Sequence, residues 1–177
     1  ACIRPRFIER ILHPDEINRY PSIHENPLLV WTLWAAKESA FKAYRQNNMR
    51  YFLPNRWSVD LAAARVQFGT QSWILDVEHT EDAVFATCSS SAMEFVSEIR
   101  SADIELSPRD QGALSREVLS ELLDRHAPNA TLYKDEGGVP RLVLGDQLIP
   151  FSMSHHGRHV FVCLALSEFS SLKSKPT

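Results

Sequence analysis

At 177 residues the chain is long enough for one ordinary domain or two small fused halves, and its 44% hydrophobic content supports a packed core. Nineteen Lys or Arg against 22 Asp or Glu leave a net charge of −3, which excludes nucleic-acid binding by the chain as a whole. The three cysteines form no Cys-x-x-Cys pair, which argues against a secreted disulfide framework and for a reducing cytoplasm. No apolar run is long enough to span a membrane and no signal peptide is visible.

In chain order, Phe7–Leu12 reads as a short helix, and His13-Pro14-Asp15-Glu16 as a turn opening another, with Pro and acidic residues where a helix N-terminus favours them. The strongest helix is Pro27–Gln46, with Asn26 as N-cap, Pro27 at the first position and Ala, Leu, Lys and Glu in its body. Pro54 and Asn55 close that region. Three strand-like runs follow: Trp57–Asp60 with an extension toward Phe68, Ser72–Glu78 and Ala83–Cys88. Ser89–Glu94 reads as a linker and Phe95–Leu106 as a strand. Ser107-Pro108-Arg109-Asp110 then starts a helix over Gln111–His126, with Leu114, Val118 and Leu122 at helical spacing. Thr131–Lys134, Pro140–Leu144, Ile149–Met153 and His159–Leu166 are strand-like, and Ser170–Thr177 is a polar tail.

The order is helices then strands, twice. Leu75–His79 can be laid on Phe151–His155, and Ala83-Val84-Phe85 then falls on His159-Val160-Phe161 without a gap, at an offset of 76 residues. The expected fold is α+β: two similar halves, 1–90 and 91–177, each a mainly antiparallel sheet with a long helix packed on it, a pseudo-dimer in one chain.

Charge is uneven along the chain. Residues 1–56 carry nine Lys or Arg against five Asp or Glu, leaving ten against seventeen in the remainder. That basic third suits an anionic ligand or an acidic partner, and equally a solvated helix surface. On a helical wheel of about 100° per residue, Leu29, Leu33, Ala36, Ala40, Ala43 and Tyr44 form the core side of the long helix. Lys37, Glu38, Lys42 and Arg45 are assigned to the opposite side, with Trp34 and Phe41 among them. Aromatic side chains between charges suit a ligand cleft or a subunit interface. Glu38 and Lys42 read equally as an ordinary i,i+4 surface pair.

Trp34-Ala35-Ala36-Lys37-Glu38-Ser39-Ala40-Phe41-Lys42 resembles the Trp-x-x-Lys-Glu-Ala/Ser-x-x-Lys signature helix of 4′-phosphopantetheinyl transferases. Phe151-Ser152-Met153-Ser154-His155-His156-Gly157-Arg158 resembles the family's Ser-x-Ser-His segment, and Gly138-Val139-Pro140 its Gly-Lys-Pro motif. The likeness covers roughly 30–165, together with a start, Arg6–Glu16, like the region after the family's first strand. It implies Mg²⁺-dependent transfer of phosphopantetheine from coenzyme A to a serine of an apo acyl or peptidyl carrier protein. By that resemblance Glu38 binds the metal and assists the incoming serine, while Lys42 stabilises the leaving group. Lys37, Lys42, Pro140, Arg141, Ser154, His155 and Arg158 are expected at the coenzyme A phosphates, with the Lys-Glu helix facing the Ser-His segment across a cleft. The residue types suit this chemistry. Phosphates need cations, and Mg²⁺ prefers hard oxygen ligands such as Glu38.

Two features depart from the family pattern. Its Gly-x-Asp segment precedes the Lys-Glu helix, whereas nothing before Phe7 contains an Asp. Either an N-terminal strand of the natural protein lies outside this chain, or the chain is a non-catalytic homologue that binds coenzyme A or a carrier protein. Val139 stands at the family's Lys, and Arg141, two residues on, is the expected substitute for that charge. The motif order is that of the small holo-acyl-carrier-protein synthases, although the chain is longer than theirs. A zinc site at His155, His156 and His159 is disfavoured because strand and turn would not converge them. A serine-hydrolase reading of Ser154 lacks the Gly-x-Ser-x-Gly elbow.

Overall fold

The computed structural model describes residues 5–45 and 51–166, with side chains from residue 6. The chain forms two compact units, Ala1–Ala92 and Met93–Thr177. The end of the predicted long helix at Gln46 and the polar tail Ser170–Thr177 lie outside the described residues.

Unit 1 opens with α1 (Pro5–Ile11) and α2 (Pro14–Arg19), followed by the long helix α3 (Pro27–Arg45). Each start has a local cause. His13 caps α2 through Asp15 N–H while Glu16 Oε2 accepts from His13 N–H at 2.8 Å, a reciprocal capping box. Asn26 Oδ1 accepts from Leu29 N–H at 3.1 Å and caps α3. Strands β1 (Ser58–Asp60), β2 (Arg65–Phe68), β3 (Gln71–His79) and β4 (Val84–Ser89) form an antiparallel meander in that order. The run expected to extend from Trp57 toward Phe68 is interrupted by a turn in which Ala64 adopts φ 51°, held by Leu75 N–H on its carbonyl at 2.9 Å.

Helix α3 lies on the face of this sheet that carries Val59, Val66, Trp73, Leu75, Val77, Ala86 and Cys88. Ala36 and Ala40 are fully buried, and these small side chains let the helix approach closely enough for Cys88 Sγ to reach Ala36 O at 3.6 Å. An aromatic cluster fills the open end of the layer: Trp57 stacks on Phe68 at 4.6 Å and Phe41 on Phe52 at 4.8 Å. Phe41, expected among surface charges, therefore belongs to the core.

The outer edge of β1 is covered by α2 in place of a strand. Glu16 Oε1 accepts from Val59 N–H at 2.8 Å, Arg19 donates to Val59 O at 2.8 Å, and Tyr20 Oη accepts from Leu61 N–H at 3.0 Å. Side chains thus satisfy an edge that would otherwise present bare donors and acceptors.

Unit 2 contains β5 (Phe95–Ser101), α4 (Pro108–His126), β6 (Thr131–Lys134), β7 (Pro140–Leu144), β8 (Gln147–Ile149), β9 (Phe151–His156) and β10 (His159–Ala165). Two antiparallel sheets form, β5-β10-β9 and β6-β7-β8. Ser107 caps α4 through Asp110 N–H. The helix buries Val118, Leu119 and Leu122 with Val160, Val162 and Leu164 of the first sheet and Leu142 and Ile149 of the second. The predicted strand Ile149–Met153 is divided at Pro150, which has no N–H for a ladder and whose carbonyl accepts from Ala165 N–H at 2.9 Å. The strand predicted over Phe95–Leu106 stops at Ser101.

The chain is thus α+β, with α3 on one antiparallel sheet and α4 on another. The repeat extends to register. In unit 1 His79 pairs with Val84, Glu78 with Phe85 and Val77 with Ala86; in unit 2 His155 pairs with Val160, Ser154 with Phe161 and Met153 with Val162.

Candidate functional site

In unit 1 the candidate residues sit on the exposed stripe of α3. Trp34, Glu38 and Lys42 follow one another at intervals of four, so they share a face. Lys42 Nζ lies 3.2 Å from Glu38 Oε1, and both side chains are partly exposed, 33% and 42%. A carboxylate and an ammonium are therefore presented together at a solvent-accessible position.

Lys37 is not on that stripe. It follows Leu33 by one turn and Val30 by two, both of them buried, so the helix carries it into the interior. Its side chain is 0% exposed; Nζ donates to Glu16 Oε2 at 2.6 Å and to Ile11 O at 2.5 Å. The expectation that Lys37 and Lys42 present two charges to one ligand is corrected here, because only Lys42 reaches the surface. Burial pushes Glu16 up from the ordinary carboxylate value and Lys37 down from the ordinary lysine value, and their mutual attraction opposes both shifts.

Beside the same stripe is a cavity of about 680 Å³ lined by Arg6, Phe7, Arg10, Ile11, Trp34, Phe52, Leu53, Pro54 and Asn55. Trp34, expected at a ligand face, lines it, and two arginines frame an otherwise largely apolar wall.

In unit 2 the Ser-x-Ser-His segment is β9 and its turn. Strand alternation sends Ser152 and Ser154 to the face away from α4, and His155 to the same face as Val160 at the strand's exposed end. Gly157 holds φ 57° in the two-residue turn Gly157-Arg158. Sequence reasoning did not single out Gln111, yet its amide donates to Gly157 O at 2.8 Å and Leu106 O at 3.2 Å. Ala102 N–H on Arg158 O and Leu106 N–H on Gly157 O complete the fastening. A Gln in the first turn of a capped helix carries no sequence signal of that kind.

Pro140 opens β7 and is exposed. Arg141 Nε donates to Asp135 Oδ2 at 2.8 Å, and Asp135 Oδ1 accepts from Val139 N–H at 2.9 Å. That backbone bond, with the guanidinium beside it, holds Asp135 below the usual carboxylate range. Arg141 thus presents its charge already partnered within the hairpin.

His79, which the 76-residue alignment sets opposite His155, is tied to α3 by Thr32. Thr32 Oγ1 donates to Leu28 O at 2.8 Å, so the 3.0 Å contact with His79 Nε2 makes the imidazole the donor.

A family model described as the 4′-phosphopantetheinyl transferase superfamily matches residues 1–89. The chain belongs to the 4′-phosphopantetheinyl transferase superfamily. The match takes in the α3 stripe and the Glu16–Lys37 pair, whereas the Ser-x-Ser-His segment lies beyond it. No curated protein and no solved structure matches the chain.

Among the described residues no three of His, Cys, Asp and Glu are grouped to hold a metal ion. Mg²⁺ commonly takes only one or two carboxylates and completes its shell with water and substrate phosphates, so a partly exposed Glu38 suits it as one ligand. No described helix is long and apolar enough to cross a membrane.

Proposed function

We propose that this superfamily member transfers the 4′-phosphopantetheine group from coenzyme A to a serine of an apo acyl or peptidyl carrier protein. The observation that carries the reading is the Glu38–Lys42 pair at the surface of α3, inside the matched region. In the transfer, the serine oxygen bonds to the phosphorus bearing pantetheine. The bridging P–O bond breaks, and the adenosine bisphosphate leaves with the bond's electrons. Glu38 is assigned as a Mg²⁺ ligand and as acceptor for the serine proton, and Lys42 meets the charge that grows on the leaving group. When bound, Mg²⁺ neutralises the pyrophosphate. Ser154, His155, Arg158, Pro140 and Arg141 are assigned to coenzyme A. Arg6 and Arg10, beside the cavity, suit an acidic carrier through electrostatic steering. A reducing, cytoplasmic setting fits the cysteine pattern.

The test is incubation of the chain with apo carrier protein, coenzyme A and Mg²⁺, with the carrier weighed by mass spectrometry. A phosphopantetheine mass gain that Glu38→Gln abolishes supports transfer. Coenzyme A or carrier binding without a mass gain in any carrier favours a non-catalytic binding homologue.

A further inference from the structure

Lys37 belongs to the signature helix by sequence, yet its ammonium is enclosed. Its partner Glu16 lies 21 positions earlier on α2, and the hydrogen bonds of the pair reach four segments. Lys37 anchors α3; Ile11 O ends α1; Glu16 and His13 N–H belong to the start of α2; Val59 N–H belongs to β1. Both carboxylate oxygens are used, Oε1 by Val59 and Oε2 by His13 and Lys37. A charge pair with this many backbone partners has one good geometry, and that geometry fixes both the rotation of α3 and its position along its axis.

We propose that Lys37 is a positioning residue: with Glu16 it clasps α3 to α1, α2 and β1, so that the next residue, Glu38, is presented outward in one orientation. The catalytic consequence rests on the transferase reading; the clasp does not. A buried Lys next to the surface carboxylate couples the packing of the N-terminal helices to the chemistry of the exposed stripe. Lys42, one turn beyond Glu38, keeps the ligand-facing part.

Two measurements on the full chain decide this. Acetic anhydride labelling under native conditions, mapped by mass spectrometry, should modify Lys42 while Lys37 reacts at least about tenfold more slowly. Added coenzyme A should slow Lys42 alone. Labelling of Lys37 at the rate of Lys42 overturns the proposal. In the second measurement, Lys37→Met should lose both urea resistance and transfer. The double variant Glu16→Gln/Lys37→Met no longer buries an unpaired carboxylate but has one amide oxygen for Val59 N–H and His13 N–H together. It should therefore recover part of the urea resistance, with KM for coenzyme A within about threefold of the parent and kcat still lowered. Parental kcat in that variant overturns the positioning role. A double variant that folds but keeps KM about tenfold raised makes Lys37 a ligand contact and sinks the idea. If the parent chain transfers nothing, the labelling and urea results still decide the clasp, and only the transferase reading falls.

Discussion

The hairpins β3–β4 and β9–β10 have the same register yet present different chemistry on one of their faces. On the helix side the residues correspond in kind: Leu75 and Val77 in unit 1, Phe151 and Met153 in unit 2, each packed under its own helix. On the far side Asp76 and Glu78 stand where unit 2 has Ser152 and Ser154. The helix-packed face is constrained by volume and by the two-residue period of the strand, whereas the far face keeps buried Phe85 and Phe161 and changes charge at β3 and β9. Two carboxylates on that face of β3 oppose an anion, and the two hydroxyls of β9 carry no such charge. The helices differ in the complementary sense. Helix α3 buries an ion pair and displays a carboxylate beside an ammonium, while the buried polar residue of α4 is Ser115, whose hydroxyl donates to Gln111 O at 2.8 Å.

The largest expected effect falls on the α3 stripe. Glu38→Gln should lower transfer by on the order of 100- to 1,000-fold with unchanged thermal unfolding, and chelation of Mg²⁺ should do the same to the parent. Equal activity in Glu38→Gln would remove the functional difference between the helices. Next, Lys37→Met leaves the Glu16 carboxylate buried without its counter-ion and should cost about 3–5 kcal/mol in urea unfolding. Leu122→Ala in the apolar core of unit 2 should cost about 2–5 kcal/mol. Only the first loss should be relieved by Glu16→Gln.

Exchanging far-face residues sharpens the hairpin comparison. Ser154→Glu, which imports the residue of unit 1, should weaken coenzyme A binding by roughly tenfold or more in calorimetry, and Glu78→Ser should leave it unchanged. The smallest effect concerns the β6–β7 hairpin. Asp135 is held below the usual carboxylate range, so its contribution is present above the unfolded value of 3.8 and is lost as pH falls through the native one. Asp135→Asn should therefore unfold with less dependence on pH across that acid window, as read by far-UV circular dichroism.

Much of this was legible because it is local. Asn26-Pro27 and Ser107-Pro108 announce the two long helices, and alternation with a recurring His announces the paired hairpins. The burial of Lys37 was not legible. Placing a lysine outward is sound until a carboxylate from another element meets it, and α2 brings Glu16 there only through tertiary folding. The same reason hid α2 as the cover of β1, since Glu16 and Arg19 look like ordinary surface charges in sequence. Gln111 escaped notice because its partners are backbone carbonyls, which leave no trace in residue type. The stripe of Glu38 and Lys42 was readable as a surface pair at i,i+4 spacing, and the structure shows that pair. The division at Pro150 was readable in principle, since a proline inside a strand-like run removes a ladder donor.

The strand orders have a consequence in time. Sheet β1-β2-β3-β4 pairs only neighbours along the chain, so it can zip from one turn to the next. In unit 2, β5 pairs with β10, setting Phe95 opposite Ala165, and that contact must await a long loop closure. By loop length alone, the meander carrying the floor of α3 is expected to assemble before the central pairing of unit 2, an order that pulsed hydrogen exchange would read.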